Sequence, residues 1–359
     1  MSLEALGWNA HWAGCFAPFG AEGYNAGRIS LEHKQLYAVW TERHGEIPAV
    51  LTGKYYYEAD ARGDLPVVGD WAVIRIHEES PPKATIHGLL PRRSKFSRQA
   101  AGTRGGEQLL AANVDTVLLV MGLDGNYNLR RIERYVTVAW ESGAEPVVLL
   151  TKADLCDLVE ERVQEVCASA PGVPVHPLSV HAGQGLEVLQ QYLAPGRTLA
   201  LLGSSGVGKS TLLNHLLGGD VQRVQEVRDF NDRGRHTTTH RELFLLLGGA
   251  LVIDTPGMRE LQLWHADEGL AGAFPEIDAM ARQCRYDDCQ HRQEPGCRVR
   301  AALEDGALDP DRYENYRKME RELQYQAARE DDRLREERER RWKQIGKLQK
   351  ELKKERKKR

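Results

Sequence analysis

The sequence predicts a multidomain α/β protein in which a small β-barrel precedes a doubly wound P-loop domain and a helical Cys/His module with a basic tail follows it. Three observations predict this. From Val114 onward, near-continuous apolar runs alternate with helical patterns, as expected of parallel strands covered on both faces. One of those runs leads into Gly203-Ser204-Ser205-Gly206-Val207-Gly208-Lys209-Ser210, which has the spacing GxxxxGKS. Farther on, Cys284, Cys289, His291 and Cys297 stand in the spacing C-x4-C-x-H-x5-C.

Length and composition set the bounds. A chain of 359 residues can bury two or three cores. No apolar run approaches the roughly 18 residues a membrane span needs, and the N-terminus lacks the basic cluster and apolar stretch of a secretory signal. A cytoplasmic protein without membrane attachment is expected. Six cysteines in such a chain do not imply a disulfide framework. The net charge of -3 conceals an asymmetry: residues 333–359 hold fourteen Lys/Arg against five Glu, a local +9 that leaves -12 for the rest. A basic tail on an acidic body suggests an anionic partner.

The elements are expected in the following order. Residues 1–26 form an N-terminal extension. Residues 27–108 hold strand-length segments at Gln35 to Trp40, Ala49 to Thr52, Trp71 to Ile76 and Ala84 to Leu89, bounded by Gly, Pro and Asp, which predicts a small barrel. Within it, Lys83 to Arg104 reads as a basic loop or linker. Residues 109–265 carry the doubly wound domain, with strands at Val114 to Met121, Pro146 to Leu150, Val175 to Leu178, Thr198 to Leu202 and Ala250 to Ile253. Helical patterns lie between them at Asn128 to Ser142, Leu158 to Ser169, Leu186 to Leu193 and Ser210 to Leu217. Residues 266–325 form the Cys/His module. Residues 326–359 are charged throughout with sparse apolar positions, which predicts a solvated helical tail.

The chemistry begins at Gly203 to Ser210, which follows a strand and opens a helix, the context a phosphate loop requires. Its backbone N–H groups and the helix N-terminus are expected to cradle the α- and β-phosphates. Lys209 is expected to reach the β- and γ-phosphates, and Ser210 to ligate Mg²⁺, with Thr211 beside it. Thr151-Lys152-Ala153-Asp154 has the form T/NKxD. Asp154 can accept from guanine N1–H and the exocyclic amine, whereas adenine presents an unprotonated N1 there and would leave the carboxylate unpaired. Ser179-Val180 follows the next strand, where a guanine-contacting loop belongs; Val180 replaces the usual Ala, in a contact expected through backbone N–H.

Asp254-Thr255-Pro256-Gly257, a DxxG, ends a strand, so Asp254 can hold Mg²⁺ and the Gly257 N–H can contact the γ-phosphate. The next residue is Met258, which has no group to orient an attacking water. Either the intrinsic rate is very low or another group takes that role, and the candidate sits in Arg233-Gly234-Arg235-His236-Thr237-Thr238-Thr239-His240, where switch I belongs. Thr239 can offer a hydroxyl to Mg²⁺, and His236 can orient water or take its proton, with His240 as the competing histidine. An ordinary GTPase runs phosphate loop, switch I, DxxG, T/NKxD and then the fifth motif. Here the order is 4-5-1-2-3, that of a circular permutation.

Three thiolates and one imidazole make a closed tetrahedral set, so Cys284, Cys289, His291 and Cys297 predict structural rather than catalytic zinc. Cys15, Cys156 and Cys167 read as ordinary thiols. Arg92, Arg93, Lys95 and Arg98, next to a barrel of the OB type, have the electrostatic footprint of RNA binding.

With permuted motifs, a preceding barrel and a following Cys₃His segment, the chain resembles the circularly permuted ribosome small-subunit-dependent GTPase A family over roughly residues 30 to 325. The resemblance implies an OB fold for the barrel and GTP hydrolysis, stimulated by the small ribosomal subunit during its late maturation. It also implies rRNA rather than DNA as the nucleic acid, a monomer, and His236 as the catalytic histidine beside Lys209. Two other readings remain at this point. In one, the chain is a nucleotide-gated RNA-binding assembly module whose hydrolysis is incidental, which Met258 favours. The other, a P-loop ATPase, is opposed by Asp154.

Overall fold

The computed structural model describes residues 1–33, 36–58, 62–99, 107–218, 241–254 and 266–328. Among them, eleven strands form one continuous sheet in the order β10-β9-β8-β11-β13-β12-β1-β2-β3-β5-β4. The barrel strands are β1 (Asn25–His33), β2 (Leu36–Thr41), β3 (Gly45–Leu51), β4 (Trp71–His77) and β5 (Lys83–Leu89). Strand β1 also pairs with β4, and β3 with β5 in parallel, so the five strands close on themselves and leave no free edge. Alternate residues fill the interior: Ile29, Tyr37, Val39, Ile47, Ile74 and Ile86 are all buried. Strand β1 is absent from the sequence expectation, yet it closes the barrel. Residues 26–30 are buried without the alternation that marks a half-exposed strand.

The stretch expected as a basic linker is ordered differently. After β5 comes a two-stranded antiparallel hairpin of β6 (Lys95–Gln99) and β7 (Glu107–Ala112). Arg92 is bidentate with the fully buried Asp70, Nε to Oδ1 2.8 Å and Nη2 to Oδ2 2.7 Å. It also donates to the carbonyls of Gly63 and Leu65. A guanidinium consumed this way is structural, which removes Arg92 from the RNA footprint. Arg93 remains half-exposed.

The doubly wound sheet comprises β8 (Thr116–Gly122), β9 (Glu145–Thr151), β10 (Val175–Pro177), β11 (Thr198–Leu202), β13 (Leu251–Asp254) and β12 (Arg241–Leu245). All are parallel except β12, which runs antiparallel to β13. Every residue of β8 is buried: Leu118 and Val120 join one core cluster, and Val117, Leu119 and Met121 the other. That is why the sequence shows a continuous apolar run there. Helices α3 (Leu129–Ser142), α4 (Val159–Ser169) and α5 (Lys209–Leu216) cover the sheet, after α1 (Ala10–Ala21) and α2 (Gly53–Glu58) earlier in the chain. Asn128 caps α3 by accepting from Arg131 N, and Gly143 ends it in the left-handed conformation.

The C-terminal helices Ala266–Ala273, Pro275–Ala281, Arg298–Glu304 and 310–328 pack onto α3 and share its core through Phe274, Ile277, Val299 and Met319. At the other end, Leu6, Trp8 and Trp12 of the N-terminal segment pack on Trp71 of the barrel. Among the described residues, no helix is long and apolar enough to cross a membrane.

Candidate functional site

In a parallel sheet the loops at the carboxyl ends of the strands form the ligand crevice. Thr151 is the last residue of β9, Ser179 follows β10, Gly203 follows β11, and Asp254 is the last residue of β13. Motifs scattered over about a hundred residues of sequence therefore share one edge, with the phosphate-loop strand β11 in the middle.

The phosphate loop is shaped by its glycines. A Cβ on Gly203 would come within 2.3 Å of the Val120 carbonyl, so nothing larger fits against β8. Gly206 and Gly208 take φ of 78° and 98°, turning the backbone before Lys209 and Ser210 open α5. Val207 is buried beneath the loop, and Ser205, Ser210 and Thr211 are exposed above it. The Lys209 ammonium lies over the loop, donating to Gly203 O at 2.7 Å and Ser204 O at 2.6 Å. Behind the loop, Arg131 of α3 donates to Ser204 Oγ at 3.2 Å.

Thr151 and Lys152 join the second motif to the first. Buried Thr151 donates to Val207 O at 2.6 Å. Lys152 adopts the left-handed conformation, φ 59°, uncommon for a side chain of that size. Its ammonium reaches Gly206 O at 2.7 Å and Asp124 Oδ2 at 2.6 Å. The lysine, with the Asn126 N–H, holds the Asp124 carboxyl below its ordinary pKa. Asp124 is missing from the sequence expectation; the only signal was a polar Asp-Gly-Asn turn directly after an apolar strand. Asp154 sits exposed in the 3₁₀ turn Ala153–Leu155. The Ala153 N–H donates to Leu178 O at 3.2 Å, which draws this turn against the loop after β10. There Ser179 is buried, its Oγ accepting from Ala182 N, and Val180 is half-buried. Backbone N–H donors, an exposed carboxylate and a lysine over a glycine turn suit a polyanion carrying a hydrogen-bonding base. His236, Thr239 and Gly257 lie outside the described residues, as do His240, Met258 and the tail beyond 328.

A second cluster lies in the C-terminal helices. One ligand atom from each of Cys284, Cys289, His291 and Cys297 falls within 4.8 Å of the others. Cys297 caps the helix Arg298–Glu304, its sulfur accepting from Arg300 N, while Cys284 Sγ accepts from Arg298 N. Burial disfavours the Cys284 thiolate, but hydrogen bonds from the Arg298 and Val299 N–H groups and from Cys289 and Cys297 together lower its pKa, while burial raises that of the neighbouring Cys289. Three cysteine sulfurs and one imidazole, with backbone donors holding the sulfurs of Cys284 and Cys297, fit a closed tetrahedral metal site. A cavity of about 450 Å³ is elsewhere, at the amino ends of the strands, among Glu4, Trp8, Arg28, Arg93, Asp115 and Arg197. It marks the joint between barrel and sheet and contains none of the nucleotide motifs.

Residues 89–264 match the RsgA GTPase family model. A small ribosomal subunit biogenesis GTPase RsgA of Opitutus terrae is 50% identical over 353 residues, covering 96% of both chains. One from Syntrophotalea carbinolica is 44% identical over 331 residues, 90% of each. Among solved structures, YjeQ from Thermotoga maritima aligns with a TM-score of 0.62 at 29% identity, over 84% of this chain and 98% of that one. YloQ, described as a circularly permuted GTPase, aligns at 0.60 and 23% identity, over 84% and 95%, and so speaks for the fold. With the permuted motif order, the strand order around β11 and this similarity along nearly the whole chain, the protein belongs to the RsgA GTPase family and is a GTP hydrolase.

Proposed function

We propose that GTP binds where the turn 151–154, the loop 179–180 and the phosphate loop converge, and that its hydrolysis serves late maturation of the small ribosomal subunit. The observation that carries the site is the pair of bonds from Lys152 to Gly206 O and from Thr151 to Val207 O. They lock the base-selecting turn to the phosphate loop across more than fifty residues of sequence.

In this reading Asp154 accepts from guanine N1–H and its amine, while backbone N–H groups at Ser179 and Val180 meet the base edge. The 203–208 turn surrounds the phosphates. Lys209 exchanges its carbonyl partners for the β- and γ-phosphate oxygens. Ser210, Asp254 and Thr239 hold Mg²⁺, which when bound offsets phosphate charge as the bond to the γ-phosphoryl group breaks. Gly257 contacts the γ-phosphate, Thr211 the neighbouring phosphate, and His236 orients the attacking water or takes its proton in place of the glutamine that Met258 cannot supply. Cys284, Cys289, His291 and Cys297 hold one structural zinc.

The ribosomal assignment rests on the relatives named for small-subunit biogenesis at 44% to 50% identity over at least nine-tenths of the chain. The barrel (27–108), with Arg93, Lys95 and Arg98, contacts rRNA, and the charge of the basic tail (326–359) draws it to phosphate, both as parts of a cytoplasmic monomer. GTP binds in 109–265 and zinc in 266–325, with 1–26 as an extension. The deciding test is GTP hydrolysis by the full chain with purified small or large ribosomal subunits at fixed salt. Strong stimulation by the small subunit alone is expected, lost in His236→Ala with nucleotide affinity retained. Equal rates with both subunits would remove the ribosomal role and leave the nucleotide site standing.

A further inference from the structure

The barrel does not only adjoin the nucleotide sheet. Its strand β1 is hydrogen-bonded into that sheet, at the end where the nucleotide motifs lie. Leu31 of β1 pairs with Glu242 of β12, and Glu242 pairs in turn with Asp254 of β13. The three residues form one row across three strands, from the barrel to the aspartate of DxxG. Among the described residues the β1–β12 pairing comprises Leu31↔Glu242 and Glu32↔Arg241. Side chains reinforce it: Arg241 Nη1 donates to Glu32 Oε2 at 2.7 Å and to Leu109 O of the hairpin at 3.2 Å. The Arg241 side chain is only 12% exposed. Burial and the nearby Arg98 both oppose its charge, and Glu32 is the carboxylate that favours it.

The same strand is fixed at its other end. Arg28, four residues earlier on β1, is fully buried and donates to Thr198 Oγ1 at 2.8 Å, where β11 begins. Strand β1 is thus a strut. One end is pinned at the base of the phosphate-loop strand, the other beside Asp254.

We infer that Glu32 and Arg241 are positioning residues for the hydrolytic site: their ion pair holds β12 against the barrel and thereby sets Asp254 where it serves Mg²⁺. This makes the barrel part of the nucleotide site's geometry as well as a docking module, and it rests on the reading of Asp254 as a Mg²⁺ residue. A merely structural pair would change stability alone. A positioning pair changes what Mg²⁺ contributes to nucleotide binding.

The test measures the affinity of the full chain for a fluorescent non-hydrolysable GTP analogue with and without Mg²⁺, alongside the hydrolysis rate. In Arg241→Gln and in Glu32→Gln the Mg²⁺-free affinity should match the parent, while the Mg²⁺-dependent gain and the rate each fall about tenfold, the order expected of directly coupled residues. The double variant should be no worse than either single one, and Arg241→Lys should recover most of the gain. If Arg241→Gln does not fold, Glu32→Gln, which removes the charge and keeps the shape, decides the matter. Asp254→Asn separates the two levels. Should it lose the Mg²⁺-dependent gain while folded Glu32→Gln and Arg241→Gln keep theirs, the strut is wrong and the Asp254 reading stands. Should Asp254→Asn itself keep the gain, both are overturned.

Discussion

Asp154 occupies an exposed turn whose position is set by its neighbours: Lys152 is held by Asp124 and Gly206, and Ala153 by Leu178. Replacing it with Asn leaves those contacts in place and turns one acceptor oxygen into a donor amide. Asp154→Asn is therefore expected to weaken GTP binding by about tenfold to a hundredfold and to improve binding of xanthosine triphosphate, which carries an acceptor where guanine has its amine. A competition titration of the two nucleotides checks this. In the Cys/His module, Glu294 accepts from the N–H groups of Gln290, Arg292 and Gln293. These donors, with its own N–H, hold its pKa down to about 2. It fixes the loop between His291 and Cys297, so Glu294→Ala should speed metal loss to a chelator about tenfold while the four ligands remain. An unchanged release rate would make the carboxylate dispensable.

Among the elements, α3 carries the heaviest polar load. Glu133 is fully buried, with Oε1 accepting from Arg130 at 2.8 Å and Arg312 at 3.1 Å, and Oε2 from Asn315. Arg312, on the helix 310–328, also reaches Ser169 O, Ala273 O and Glu276, and stacks on Phe274. Removing one partner of such a buried pair leaves a charge without compensation. Arg312→Ala should cost roughly 3–5 kcal/mol, seen as a lower urea midpoint for the C-terminal helices. The bidentate pair of Arg134 with Glu322, about a third exposed, should contribute no more than about 1 kcal/mol. None of this was legible beforehand. The amphipathic pattern located α3, but two of the partners of Glu133, Arg312 and Asn315, lie 179 and 182 residues away.

For the whole molecule the joint at Arg28 matters most. Its guanidinium donates to carbonyls of the N-terminal segment (Leu6), the barrel (Gly69) and the connection to the nucleotide sheet (Asn113), and to the Thr198 hydroxyl of that sheet. It stacks over Trp71 as well. Burial draws its pKa down to about 10, so the cation persists at neutral pH. Arg28→Ala would leave several buried acceptors without a donor. At roughly 1–3 kcal/mol for each such group, a loss of at least about 3 kcal/mol in thermal or urea unfolding is expected, together with easier proteolysis between barrel and sheet. Unfolding indistinguishable from the parent would show that the joint is held by other contacts.

The sequence by itself determined what depends on contiguous residues. The phosphate loop, T/NKxD and DxxG are short strings whose chemistry is local, and their order disclosed the permutation before any coordinates. The continuous apolar runs located the buried parallel strands, since a strand covered on both faces has no polar side to show. The four zinc-type ligands were legible from spacing alone. What only the tertiary structure decided depends on partners far apart in sequence: Asp124 beneath Lys152, Arg92 spent on Asp70, Glu133 facing Arg312, and β1 closing the barrel while pairing with β12. Such contacts leave no periodic signal, because each is a single hydrogen-bonding group whose meaning comes from the one surface that burial brings against it.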